Sequence, residues 1–169
     1  MTPLRASLCT YNLWNTQRWP EREPALRQFL QRFRPDILGV QELRAETRDC
    51  IDAALADHAR VEDDFAGWTC ESNLWWHAGL FERVGHGAAD YGSHEDTRKL
   101  FWVRLRRRDG GGTLVAATAH LTHTSHPDEA QTGRSPRIDQ TRSILATLEA
   151  LVGDDEPAFV MGDFNDAYH

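Results

Sequence analysis

Val160-Met161-Gly162-Asp163-Phe164-Asn165-Asp166 is an apolar strand that runs straight into a carboxylate and an amide. The same grammar occurs three times upstream, in Leu8-Cys9-Thr10-Tyr11-Asn12, Ile37-Leu38-Gly39-Val40-Gln41-Glu42 and Leu114-Val115-Ala116-Ala117-Thr118-Ala119-His120. Each strand hands over to Asn, Glu, His or Asp at its carboxyl end. In layered α/β folds ligands collect at that edge, where side chains leave the core and neighbouring strands converge. One such ending is ordinary. Four of them, carrying carboxylate, amide and imidazole, suit a metal and phosphate site.

Working outward, Leu4–Leu13 reads as the opening strand. Trp19-Pro20-Glu21 starts a helix, with proline in the first turn and an acid near its positive end. Ala25, Leu26, Phe29, Leu30 and Phe33 recur at helical spacing as one apolar face. Arg34-Pro35-Asp36 ends it, because the residue before proline is pushed out of the α region. With the strand Ile37–Gln41 the first 42 residues form a βαβ unit. A helix over Thr47–Ala56 follows, with Ile51, Ala54 and Leu55 inward. Residues 58–98 scatter Trp68, Trp75, Trp76, Phe81 and Tyr91 among Gly, His and acids, which predicts short strands and long loops.

Lys99–Arg107 and Thr113–Leu121 flank Arg108-Asp109-Gly110-Gly111-Gly112, a hairpin signal. A helix from about Arg137 to Leu151 turns Ile144, Leu145, Leu148 and Leu151 inward. Gly153 stops it, and Ala158–Met161 is the last strand. Helices alternating with strands, then hairpins, predict a mixed α/β sandwich and not a purely parallel sheet.

The chain has 169 residues, one domain's length, with 40% hydrophobic and 27% charged residues. Its formal net charge is −7 and its pI about 5.6. Non-specific nucleic-acid binders rely on excess Lys/Arg to displace counterions, so this balance weighs against long duplex DNA. Cys9, Cys50 and Cys70 form no CxxC pair, which points to a reducing compartment. No stretch approaches a membrane span, and no apolar segment follows Arg5 as a secretory leader requires. The expected location is cytoplasmic.

The strand-end residues have competing uses. Glu42 follows four apolar residues and Gln41, and a carboxylate buried there without a partner costs several kcal/mol. It must reach solvent, an ion pair with Arg44 or Arg5, or a metal. Asp163 and Asn165 point to one side if the segment stays extended, with Phe164 turned into the core. Either they bind a ligand or they form a turn that satisfies its own backbone. His120 at a strand end suits a donor to a phosphoryl oxygen. His120, His123 and His126 lack the spacing of a tetrahedral zinc site. Asn12 alone says little. Arg137 and Gln140 share a helix face and could be only a surface pair. Arg104, Arg106, Arg107 and Arg108 read as a solvated turn, and Trp14, Trp68, Trp75 and Trp76 as core aromatics or as stacking surfaces.

Taken together, Thr10-Tyr11-Asn12-Leu13-Trp14, Pro35-Asp36-Ile37-Leu38-Gly39-Val40-Gln41-Glu42, Thr118-Ala119-His120-Leu121, Arg137-x-x-Gln140 and Gly162-Asp163-Phe164-Asn165 resemble the endonuclease/exonuclease/phosphatase superfamily. The resemblance implies a DNase I-like four-layer α/β sandwich and a Mg2+-dependent phosphoesterase, with Mn2+ as an alternative cation. By motif position it implies Glu42 as the principal metal ligand with Asn12 beside it. Asp163 would orient or activate the nucleophile, Asn165 would position it and the phosphate, and His120 would stabilise phosphoryl charge. The implied substrate is a phosphate ester: a nucleotide, a sugar phosphate or a lipid head group.

In that superfamily further strands, another Asp and a closing Ser-Asp-His follow Gly-Asp-Phe-Asn. This sequence carries none of them, and His169, four positions past Asn165, is not assigned the role of general base. The expectation is therefore a C-terminally truncated domain whose second half is incomplete. Its exposed sheet edges would favour homodimerisation. The competing expectation is a catalytically impaired fragment or an association module of the same fold, since loss of a general base typically costs ~10²–10⁴ in rate.

Overall fold

The central strands are buried along nearly their whole length, because each sheet has helices on one face and the other sheet on its second. The computed structural model describes residues 5–166, apart from the side chain of Asp128. The chain runs β1 (Leu8–Asn12), α1 (Trp19–Phe33), β2 (Ile37–Gln41), α2 (Ala45–Ala54), β3 (His58–Arg60), α3 (Gly67–Cys70), β4 (Ser72–His77), β5 (Phe81–Ala89), β6 (Leu100–Arg107), β7 (Thr113–His120), α4 (Pro127–Thr132), α5 (Pro136–Leu151) and β8 (Ala158–Asp163). One sheet has the order β1-β2-β4-β3 and the other β5-β6-β7-β8. Within them β1 and β2 are parallel, as are β7 and β8, and the remaining pairs are antiparallel. The mixed α/β sandwich expected from the sequence is the observed architecture.

Side-chain alternation sorts the core into three layers. On β2, Leu38 and Val40 face α1 and α2, while Ile37 faces the other sheet. On β7, Leu114 and Ala116 face the first sheet, while Val115, Ala117 and Ala119 pack under α5. Helices therefore cover both outer faces and give four layers. The sheets approach closely at Gly39, where a Cβ would sit 3.2 Å from Thr118 Cβ and 3.3 Å from Met161 Cε. Beside it Gln41 Nε2 donates to Thr118 Oγ1 at 2.7 Å across the interface. This polar bridge lies one residue from Glu42 and keys the two sheets together where the strands end.

Several element boundaries differ from the sequence reading. Of the expected first strand, Leu8–Asn12 is strand and Leu4 lies outside the described residues. α2 begins at Ala45, earlier than expected, because Thr47 Oγ1 accepts the Arg44 N–H at 3.0 Å and caps the first turn. The apolar face of α1 is narrower than its periodicity implies. Leu26 and Leu30 are buried, Ala25 is exposed, and Phe33 is 65% exposed, with its ring tilted against Phe29. Leu145 on α5 likewise faces out while Ile144 and Leu148 are buried. α4 was not anticipated. Trp68, Trp75 and Trp76 are core residues, as one of the two readings held, and Trp14 is not.

Candidate active site

The two parallel pairs bring four strand ends to one rim of the sandwich. Asn12 pairs with Gln41 at the ends of β1 and β2, and His120 pairs with Asp163 at the ends of β7 and β8. Asn12 lies on the same strand face as Thr10, which bonds Gln41 between the sheets. Asp163 and His120 share faces with Met161 and Thr118, which also point between the sheets. One strand of each pair thus aims its last residue at its counterpart across the sandwich.

Asn12 joins them. Its Nδ2 donates to Glu42 Oε1 at 3.0 Å and to Asp163 Oδ2 at 2.8 Å. Its Oδ1 accepts the Trp14 N–H at 2.8 Å, which fixes the amide plane. The second oxygen of Glu42 accepts from Asn15 Nδ2. Among the described residues the Glu42 carboxylate therefore takes amide hydrogens and no guanidinium; Arg44 turns instead to the carbonyls of Leu43 and Cys70. The ion-pair reading of Glu42 with Arg44 does not hold.

His120 is buried and held on both sides. Its Nδ1 lies 3.1 Å from Glu71 Oε1, and its Nε2 lies 3.8 Å from Asp163 Oδ2. Its carbonyl accepts the Tyr91 hydroxyl, whose pKa burial pushes up. Glu71 in turn accepts from Arg98 Nε at 3.1 Å. Burial pushes the Glu71 carboxyl up, but the His120 hydrogen bond and the charges of Arg98, His120 and Arg44 outweigh it, and the net shift is downward. Glu71 is thus an anion that orients the imidazole and directs Nε2 toward Asp163.

Asp163 and Asn165 do not lie on an extended segment. Asn165 has φ 49°, and its N–H closes a turn onto Asp163 Oδ1 at 3.0 Å. The self-satisfying turn is real, and it still leaves Asp163 Oδ2 with Asn12. Asn165 Nδ2 donates to the Leu121 carbonyl at 2.8 Å. Phe164, expected in the core, is 43% exposed, because the left-handed turn after Asp163 breaks the alternation that would have buried it. Gly162 makes the approach possible. Its φ is +155°, and a Cβ there would sit 2.0 Å from the Ala119 carbonyl oxygen.

Arg137 and Gln140 are buried, not a surface pair. Gln140 accepts the Thr122 N–H at 3.1 Å and donates to Thr122 Oγ1 at 2.7 Å, while Arg137 donates to the Thr122 carbonyl at 3.0 Å and to Glu129. They grip the chain two residues past His120. His123 is exposed, and among the described residues no group of three or more His, Cys, Asp and Glu could hold a metal. That disposes of the histidine zinc reading. His169 lies outside the described residues.

Four of the seven non-glycine residues found at positive φ surround this rim: Trp14, Asn15, Glu42 and Asn165. Asparagine tolerates that region, but glutamate and tryptophan there are strained, and such strain clusters at functional sites. Glu71, Arg98 and Asn15 were missed by the sequence reading. Glu71 and Arg98 lie in the 58–98 stretch without a strand-end signature, and Asn15 sits in the turn after Trp14.

A hard cation can be tested against this donor set. Two carboxylates converge on amide N–H groups with no guanidinium between them, and Asn15 Oδ1 is buried with no partner. Mg2+ takes oxygen ligands, commonly one or two carboxylates completed by waters and substrate phosphate. The residues fit it. Glu42, Asp163 and His120 also line a cleft of about 680 Å³, enough for a small phosphate ester.

The sequence profile of the Endonuclease/Exonuclease/phosphatase family matches residues 9–169. The chain belongs to this family. No curated protein sequence matches it significantly. Among solved structures, an endonuclease/exonuclease/phosphatase family protein from Bacteroides thetaiotaomicron superposes with a TM-score of 0.79 at 20% identity, covering 98% of this chain and 65% of its own. Humanized D. rerio TDP2 gives 0.77 at 18%, covering 96% and 63%. The mannosyl-6-phosphatase of Bacteroides thetaiotaomicron gives 0.77 at 20%, covering 95% and 66%. The chain thus spans 63% to 66% of the length of these matched chains. At such identities the likeness establishes the family's DNase I-like fold and leaves the substrate open. Among the described residues no helix is long and apolar enough to cross a membrane.

Proposed function

We propose that this chain carries the site of a divalent-metal-dependent phosphoesterase that hydrolyses a phosphodiester or phosphomonoester by attack of water. The observation that carries the reading is the Asn12 amide, which joins Glu42 and Asp163 at 3.0 and 2.8 Å within reach of a carboxylate-held histidine. The matched structures include a sugar phosphatase and TDP2, so family membership supports phosphate-ester chemistry in general.

Glu42 and the free oxygen of Asn15 would hold Mg2+ or Mn2+, and Asn12 would join them with its amide turned, since here its Nδ2 faces both carboxylates. When bound, the ion supplies Lewis-acid stabilisation of charge on the phosphoryl oxygens. Asp163 Oδ2 accepts a proton from, and orients, the attacking water. Asn12 donates to that oxygen and the Asn165 N–H to Oδ1, so the carboxylate is held at both oxygens, with Oδ2 the one nearer His120. His120 gives its Nδ1 hydrogen to Glu71, so a donor role at Nε2 requires the imidazolium. The buried Glu71 anion orients the imidazole by direct contact, and with a hydrogen on both ring nitrogens Nε2–H donates to a phosphoryl oxygen.

The test is calorimetric titration of Mg2+ and Mn2+, followed by turnover of bis-p-nitrophenyl phosphate on the same sample. Saturable binding with metal-dependent turnover is expected. Binding without turnover would identify a catalytically impaired form, and absence of both would leave an association module.

A further inference from the structure

Trp14 is the one tryptophan of six that is largely exposed, at 53%. Single exposed apolar side chains are common and need no ligand. This one differs in how it is held. Its backbone sits at φ 52°, a region in which a bulky residue is strained, and its N–H is tied to the amide of Asn12. The Arg22 guanidinium lies 5.6 Å from the ring centroid. Arg22 is itself immobilised by the carbonyls of Leu13 at 2.8 Å, Gln17 at 2.7 Å and Asn15 at 3.2 Å. The indole is thus a rigid plate, bracketed by a cation and fixed to the residue that joins the two carboxylates.

The plate lines the same cleft as Glu42, His120 and Asp163. That cleft contains a second flat surface, the imidazoles of His94 and His126, stacked with centroids 4.4 Å apart and planes 11° from parallel. A sugar is commonly gripped by carboxylates and amides that bond its hydroxyls. Here the carboxylates of the cleft have other roles: Glu42 and Asp163 face the reacting phosphate in the reading above, and Glu95 pairs with Arg98 at 3.1 Å. Beside them the cleft presents two flat, π-rich surfaces, Trp14 and the His94–His126 stack. They suit a planar ring carried next to a phosphate.

We propose that Trp14 is a stacking platform for a nucleobase, so that the phosphate ester taken by this site is a mononucleotide or the end of a short single strand. The net charge of −7 agrees with a short ligand and not a long polyanion. Stacking reads the face of a base and is tolerant of which base it is, so selectivity lies between nucleotides and sugar phosphates. The assignment rests on the phosphoesterase reading of the neighbouring carboxylates.

The test compares adenosine 5′-phosphate with ribose 5-phosphate, which share the phosphate and the sugar. Both are titrated by calorimetry into the chain with Mg2+ present. Stacking of one base predicts that the nucleotide binds about tenfold tighter, ~1.4 kcal/mol. Trp14→Ala brings the ratio close to one, and Trp14→Phe leaves an intermediate value. Equal affinities in the unmutated chain, or a ratio that survives Trp14→Ala, would overturn the stacking role while leaving the phosphate site standing. If neither phosphate binds, the stacking role and the phosphoesterase reading fall together. If Trp14→Ala does not fold, Trp14→Phe carries the test: a ratio unchanged by the smaller ring would overturn the assignment.

Discussion

Glu71→Gln removes one charge and almost no volume. The carboxylate is 5% exposed and takes hydrogens from His120 Nδ1 and Arg98 Nε, both at 3.1 Å. Hydrogen bonds to a charged group contribute roughly 1.5–3 kcal/mol each. Both donors meet the same oxygen, Oε1, so a glutamine carbonyl placed there can still accept both, and each bond loses its charge assistance. Arg98 keeps Glu95 at 3.1 Å, so its guanidinium is not left bare. The expected loss at neutral pH is ~1–3 kcal/mol, the difference between charged and neutral hydrogen bonds summed over the two donors. Urea unfolding followed by circular dichroism measures it.

The acid behaviour gives the sharper test. The Glu71 carboxyl is lowered from its ordinary 4.5 in the folded chain. A lowered folded value means that the stabilisation is complete above the unfolded pKa and disappears as pH falls through the folded one. The stability difference between the unmutated chain and Glu71→Gln should therefore be full at neutral pH and close in acid, well below 4.5. Turnover should fall by about 10–100-fold, the usual effect of losing a carboxylate that orients a functional histidine. It should fall in kcat, because Glu71 acts through His120 and does not touch substrate. A stability gap that stays constant into acid, together with unchanged kcat, would remove Glu71 from both roles.

Further substitutions probe the other contacts. Glu42→Gln should abolish metal-dependent turnover and remove the rise in thermal midpoint that Mg2+ gives the unmutated chain, a rise worth ~2.7 kcal/mol at a hundred times Kd. An unchanged midpoint shift would take Glu42 out of the metal site. Asn12→Asp places a third carboxylate between Glu42 and Asp163, so the metal-free chain should lose ~1–3 kcal/mol, and added Mg2+ should restore much of it; differential scanning fluorimetry with and without Mg2+ would show it. Gly162→Ala sets a Cβ 2.0 Å from the Ala119 carbonyl oxygen, well short of the 3.0 Å below which something must shift. β8 must then move off β7, at a cost of ~2–5 kcal/mol from backbone strain and overpacking. A urea midpoint equal to that of the unmutated chain would refute the close approach.

What the sequence discloses about this site follows from how each residue is specified. Asn12, Glu42, His120 and Asp163 stand at the ends of apolar strands, and strand ends are local: the run of Leu, Val, Ile and Ala before each residue buries the strand and fixes which edge its last side chain reaches. Four such endings require no knowledge of the partner strand beyond its direction. Phe164 shows the limit of the same logic. The period of two placed it in the core, but the Asx turn from Asp163 Oδ1 to the Asn165 N–H interrupts the strand first, and the alternation ends with it.

Glu71 is specified in another way. No apolar run precedes it, it follows the short helix α3, and its partners lie 27 and 49 positions away in Arg98 and His120. A glutamate in a polar stretch has no local reason to be buried. Only the closure of the first sheet on the second, through Gly39 against Thr118 and Gln41 against Thr118, brings β4 beneath β7 and carries Glu71 to the imidazole. The residues proposed to meet the substrate are thus written into single strands, while the residue that holds the histidine is placed only by packing. Substitutions that loosen the sheet interface, such as Gly39→Val, should for that reason reduce turnover through misplacement of His120 before they alter metal binding at Glu42. A variant in which metal affinity falls first would locate the weaker link at Asn12 and Asn15.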